Sequence, residues 1–128
     1  MIAPVSVGAF AATGRERVVK GNEPKAIDAE LHGTADTSAA EAVAAFLDEV
    51  HAEARKIGAR EVSIDLRKLE FMSSACFKSM IAWLAHLETE PEPYAVRLRS
   101  DPTKHWQARS LAAIVALAGG LVRLDPLA

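Results

Sequence analysis

Asp65-Leu66-Arg67-Lys68-Leu69-Glu70-Phe71-Met72-Ser73-Ser74-Ala75-Cys76-Phe77-Lys78-Ser79-Met80-Ile81-Ala82-Trp83-Leu84 is the stretch on which the reading of the fold turns. Ahead of it and into it, Val62, Ile64 and Leu66 alternate as a buried strand, and Leu69 and Phe71 carry the chain towards a turn. Phe77, Met80, Ile81, Leu84 and Leu87 then recur at helical spacing. Paired serines stand at the junction. A serine hydroxyl at a helix start accepts a hydrogen bond from an unpaired amide of the first turn. The same amides and the helix dipole stabilise a phosphate placed there. The junction therefore supports two readings, a helix cap and a modifiable switch.

Outward from this junction the chain alternates strand and helix. Residues 4–21 hold a Val/Ala-rich opening and Arg17-Val18-Val19-Lys20, read as an edge strand or hairpin arm, and Gly21-Asn22-Glu23-Pro24 reads as a turn. A strand is expected over 26–32. Asp36-Thr37-Ser38, with Glu41 three residues after Ser38, carries a capping-box pattern. Val43, Leu47, Val50, Ala54 and Ile57 follow at helical spacing until Gly58 ends the element, leaving Asp48, Glu49, Glu53, Arg55 and Lys56 on a solvated face. After the strand over 61–66 and the central helix, Glu90-Pro91-Glu92-Pro93 breaks the chain. Tyr94, Val96 and Leu98 alternate as a strand. A last helix over about 104–118 points Leu111, Ile114 and Val115 inward, Gly119-Gly120 stops it, and Leu121-Val122-Arg123-Leu124 reads as a final strand. Alternation this short calls for right-handed crossovers and a largely parallel sheet covered by helices, an α/β fold. The pattern alone does not separate this from a short flavodoxin-like sheet.

The junction resembles the signature of STAS domains, the family of anti-sigma-factor antagonists, in which an Asp-Leu strand, a short apolar approach and an Asp-Ser-Ser-Gly-like turn precede an amphipathic helix. Asp65-Leu66 match the strand, and Leu69 and Phe71-Met72 match the approach. Ser73 replaces the turn's aspartate, Ser74 falls on the serine that kinases phosphorylate in that family, and Ala75-Cys76 stand where Ser-Gly usually follows. Upstream, Ile27-Asp28-Ala29-Glu30-Leu31-His32-Gly33-Thr34-Ala35-Asp36 looks like the family's second strand and its Gly-x-x-Asp turn. The likeness covers about residues 25–125. It implies a small mixed sheet with an antiparallel opening hairpin, helices mainly on one face, and a single domain over 1–128. It also implies partner switching in a bacterial signalling pathway. An anti-sigma factor or serine-kinase-like partner would dock around Asp36, Ser74 and Lys78, and phosphorylation of Ser74 would release it. Ser73, Ala75 and Cys76 complete the switch turn.

Composition narrows the alternatives. At 128 residues, 50% hydrophobic and 25% charged, the chain suits one compact domain with a core. Its net charge of -2 argues against nonspecific nucleic-acid binding, which needs concentrated positive charge. Arg15, Arg17 and Lys20 cluster only loosely, and Arg97 and Arg99 share one strand face. No run reaches the length of a membrane span. Met-Ile-Ala-Pro lacks the basic and apolar regions of a secretion signal, and a single cysteine forms no internal disulfide. A cytoplasmic location is expected.

Enzyme chemistry finds little foothold in the sequence. His32, His51, His86 and His105 are spread along the chain, none read as paired with another metal-ligating residue at a ligand interval, and no cofactor is expected. There is no phosphate-binding loop or dinucleotide turn. Trp83 and Trp106 read as packing residues. Cys76 keeps a thiol-dependent enzyme or redox sensor open, because a thiol in a helix's first turn is eased towards the thiolate, but no activating base stands near it in sequence. The reading is therefore a non-enzymatic interaction module, switched at Ser74. A constitutive, unphosphorylated scaffold or assembly protein is the alternative, and a homo-oligomer is compatible with either.

Overall fold

The computed structural model describes residues 2–19, 23–118 and 120–126. Lys20, the turn expected at Gly21-Asn22, and Gly119 lie outside them. A short strand β1 (Val5–Val7) and a longer β2 (Phe10–Val19), paired antiparallel, open the chain, followed by the long β3 (Glu23–Ala35). A 3₁₀ turn (Thr37–Ala39) leads into α1 (Ala40–Ile57), then β4 (Glu61–Asp65), β5 (Leu69–Met72), α2 (Ser74–Glu88), β6 (Ala95–Ser100), α3 (His105–Leu117) and β7 (Val122–Pro126). The described strands form one seven-stranded mixed sheet in the order β1-β2-β3-β4-β6-β7, with β5 paired to β3 beyond the end of β4. The fold is α/β, as the alternation requires.

Pairing is antiparallel from β1 to β3 and parallel from β3 through β4 and β6 to β7. Each parallel crossover moves one place in the same direction, so right-handed connections set the helices on the same face of the sheet. The strand alternation agrees with this. Ile27, Ala29 and Leu31 of β3, Val62 and Ile64 of β4, and Val96 and Leu98 of β6 are all buried, in one cluster with Val43, Phe46, Leu47 and Val50 of α1, Met80, Leu84 and Leu87 of α2, and Leu111 and Ile114 of α3. Period-2 alternation puts the intervening residues on the opposite face, and these are Asp28, Glu30, Glu61, Ser63, Asp65, Arg97, Arg99, Arg123 and Asp125.

That second face is tied together by charge. The Arg17 guanidinium reaches Asp28 at 3.0 Å and Glu61 at 2.8 Å. Arg97 lies 3.7 Å from both Glu61 and Asp125, so the series of pairs links β2, β3, β4, β6 and β7.

Several local expectations are corrected. The strand expected over 26–32 runs straight through Gly33 to Ala35. Gly33 lies inside it at φ 83, where a Cβ would meet the Ala9 carbonyl oxygen. Glu23 and Pro24 belong to this strand rather than to a turn. The capping box at Ser38 and Glu41 does not form, because Ser38 sits within the 3₁₀ turn and its hydroxyl bonds the Asp36 carboxylate instead. Glu53, expected on the solvated face of α1, is instead buried, and its hydrogen-bonding to Glu16 of β2 lowers the Glu53 carboxyl and raises that of Glu16. Gly58 ends α1 as expected, in the left-handed conformation at φ 67.

Candidate functional site

The serine junction is a strand-to-helix switch point in the structure. β5 ends at Met72, and the Ser73 amide donates to the Ala35 carbonyl at 2.7 Å, pinning the turn to the end of β3. Ser73 is buried and its hydroxyl accepts from the Cys76 amide at 3.2 Å, so it is the N-cap of α2. Ser74 is the first residue of the helix and is exposed. The two hydroxyls thus divide the roles that sequence left shared: one is consumed by the cap, and the other faces solvent beside the free amides of the first turn.

Around Ser74 the structure gathers two of the expected contact residues. Asp36, exposed, follows β3, and its carbonyl accepts from the Cys76 thiol at 3.2 Å, joining the segment after β3 to the first turn of α2. Lys78, also exposed, follows Ser74 by four residues, one helical turn along the same face. Ala75 is half-buried. Phe71, expected as part of the apolar approach, is instead 48% exposed, a large apolar side chain just before the turn. Cys76 is fully buried, with its sulfur aimed at the main chain, so it fills the space under the turn.

Along the helices the same surface continues as a groove of about 630 Å³ between α1 and α2, bordered by Asp48 and His51 on one side and Lys78, Ser79 and His86 on the other. Its far end holds a polar cluster. His51 Nε2 lies 2.9 Å from Glu90 Oε1, and His51 Nδ1 lies 2.8 Å from the Tyr94 hydroxyl. Trp83 Nε1 donates to that hydroxyl at 3.2 Å. Burial pushes the Tyr94 hydroxyl up to about 12, opposed by the Trp83 hydrogen bond, so it stays protonated. His86 Nε2 lies 4.0 Å from the same Glu90 oxygen. The donor atoms of His51, His86 and Glu90 all fall within 4.8 Å of one another. This corrects the expectation that no histidine has a ligand-type neighbour: His86 sits in the last turn of α2, Glu90 lies four residues on, just past the helix end, and packing of α1 on α2 brings His51 to both.

A second concavity, also about 630 Å³, opens on the charged face of the sheet. Asp65 accepts from Arg67 through its main-chain amide (3.0 Å), Nε (2.9 Å) and Nη2 (2.7 Å). Burial pushes the Asp65 carboxyl up, but these bonds and the nearby Arg99 outweigh it, and its pKa falls below the ordinary 3.8.

No protein-family model matches the sequence, and no curated protein matches it. The functional reading therefore rests on the residues themselves.

Sequence reasoning missed Gln107, which is fully buried on α3. Its side-chain amide donates to the Leu66 (2.6 Å) and Leu69 (3.2 Å) carbonyls, and its Oε1 accepts from the Asp101 amide at 2.8 Å. The glutamine thus holds the β4–β5 turn, and through it the approach to Ser73, against the start of α3. One polar residue at an inward helical position was the available signal.

Proposed function

We propose that this chain is a non-enzymatic, STAS-like protein-protein interaction module, controlled by phosphorylation of Ser74. The single observation that carries the reading is the division of labour between the paired serines: Ser73 is buried as the helix cap and Ser74 is exposed at the first helical position. A hydroxyl already used by the fold is a poor target for a kinase, whereas an exposed one at a helix N-terminus accepts a phosphate without unfolding the helix. The modification adds roughly two negative charges and bulk. Free amides and the dipole stabilise those charges locally, while a partner seated over Ser74, Asp36 and Lys78 loses complementarity.

The partner in this reading is a protein of the anti-sigma or serine-kinase kind, in the cytoplasm of a bacterial cell. The burial of Cys76 disfavours the thiol enzyme.

The test begins with mass spectrometry of the protein from its native cell, covering the peptide with Ser73 and Ser74 and the proteins that co-purify. Ser74→Asp should then weaken binding of the co-purified partner at least tenfold, about 1.4 kcal/mol, with unchanged circular dichroism. Ser74→Ala should bind like wild type and resist kinase-driven release. Equal affinity of wild type and Ser74→Asp, with no phosphate on Ser74 in native protein, would replace the switch with a constitutive scaffold.

A further inference from the structure

We propose that His51, His86 and Glu90 form a binding site for a divalent transition-metal ion of the zinc class, at the end of the α1–α2 groove away from the serine junction. Two imidazoles and one carboxylate are a donor set that suits such an ion, with a remaining position for water or another ligand.

The distances are close to what coordination needs. A tetrahedral ion with bonds of about 2.0–2.2 Å holds its donors roughly 3.3–3.6 Å apart. His51 and Glu90 stand at 2.9 Å and His86 and Glu90 at 4.0 Å, on either side of that spacing. Closing the site requires small side-chain turns. The His86 side chain is 68% exposed, so it is free to swing inward without disturbing the core.

A second set of residues prepares the site. Metal-ligating histidines ordinarily have their other ring nitrogen held by a hydrogen-bonding partner, which fixes the ring's orientation. Here the buried Tyr94 hydroxyl holds His51 Nδ1 at 2.8 Å, so Nε2 points at Glu90 and His86. Trp83 holds Tyr94 in turn, at 3.2 Å. The hydroxyl donates to a bare Nδ1 or accepts from a protonated one, so it serves the ring in the tautomer that leaves Nε2 available to the ion. Arg55 lies 3.6 Å from Glu90 Oε1, but it is also anchored to the Glu92 carbonyl at 2.9 Å. It therefore trims the negative charge of the carboxylate while staying docked outside the triad. The ion would join α1, the end of α2 and the loop before β6 at one point.

The site is tested on tag-free protein stripped with a chelator, by calorimetric titration with Zn²⁺ and by the visible absorption of Co²⁺. Wild type should take up one equivalent of either ion, with a Co²⁺ spectrum of low coordination number, and should melt at a higher temperature when loaded. His86→Ala and Glu90→Gln should each weaken binding at least tenfold. Because His86 is largely exposed, its variant should keep the metal-free melting temperature, which separates lost ligation from lost folding. Tyr94→Phe, which removes the group that orients His51, should weaken binding by about 10–100-fold. His32→Ala and His105→Ala should bind as wild type does. The proposal is overturned if wild type shows no saturable one-equivalent uptake, if His86→Ala binds as tightly as wild type, or if His32 or His105 proves to carry the binding.

Discussion

At the residue scale, two serines with one chemistry do different work because a single position along the helix start separates them. Ser73 at the N-cap accepts from Cys76, and its replacement by alanine leaves that amide unpaired in a buried turn. Ser73→Ala should lose about 0.5–2 kcal/mol in urea unfolding, whereas Ser74→Ala, exposed and outside the cap, should be near neutral. Equal losses in the two would move the cap to the wrong serine. Glycines offer a similar contrast. Gly33 and Gly58 both have positive φ, at 83 and 67. At Gly58 an added Cβ meets nothing within 4 Å, so Gly58→Ala should cost only the left-handed conformation, about 1–2 kcal/mol. At Gly33 the Cβ would collide with the Ala9 carbonyl oxygen, which is held there by the Thr34 amide at 3.0 Å. Gly33→Ala must therefore separate β2 from β3 locally, and it should be clearly the more damaging of the two in the same unfolding assay.

At the element scale, α2 shows how far periodicity reaches. The apolar stripe at Phe77, Met80, Ile81, Leu84 and Leu87 places the helix correctly, but the buried face is Cys76, Met80, Trp83, Leu84 and Leu87, with Phe77 and Ile81 only partly covered. The face is rotated towards α1 because the helix must satisfy both the sheet and a neighbouring helix. Leu84→Ala should cost about 2–5 kcal/mol, and Ile81→Ala distinctly less, when both are measured by denaturant midpoint at constant slope. Comparable losses would restore the unrotated face. The same limit explains what else was legible. Strand alternation and the Gly58 stop are local, and both were readable. β5 was not, because Leu69–Met72 is short and becomes a strand only by pairing with the end of β3. Gln107 and Glu53 were unreadable for a related reason: their burial depends on carbonyls and carboxylates supplied by distant segments.

At the scale of the whole molecule, one face of the sheet is sealed by helices and the other is held by charge, and pairing register decides which charges meet. Arg97, opposite Ser63 and Arg123 in register, reaches diagonally to Glu61 and to Asp125 at 3.7 Å each, while Asp65, opposite Arg99, is bonded by Arg67. Sequence placed Arg97 and Arg99 on one strand face but could not say which acids would face them, just as it could not bring His51 to His86 and Glu90, because both depend on the order of strands and helices in space. This charged face carries an acid sensitivity of definite sign. Asp65 is only 8% exposed, and burial pushes its carboxyl up, yet the three bonds from Arg67 hold the folded-state pKa below the ordinary 3.8. Its contribution is therefore fully present above the unfolded value and is lost as pH falls through the lowered folded value, where the unfolded chain binds the extra proton. Asp101 behaves in the same direction: bonds from Thr103 and then Lys104 hold it at about 2. Unfolding free energy should consequently fall between about pH 5 and pH 2. Asp65→Asn should be less stable than wild type at pH 7 but show a shallower decline on acidification, so the two curves converge as the pH falls. Parallel curves for wild type and Asp65→Asn would mean that the Arg67 bonds do not hold Asp65 ionised in the folded protein, and that the acid sensitivity lies in the surface carboxylates alone.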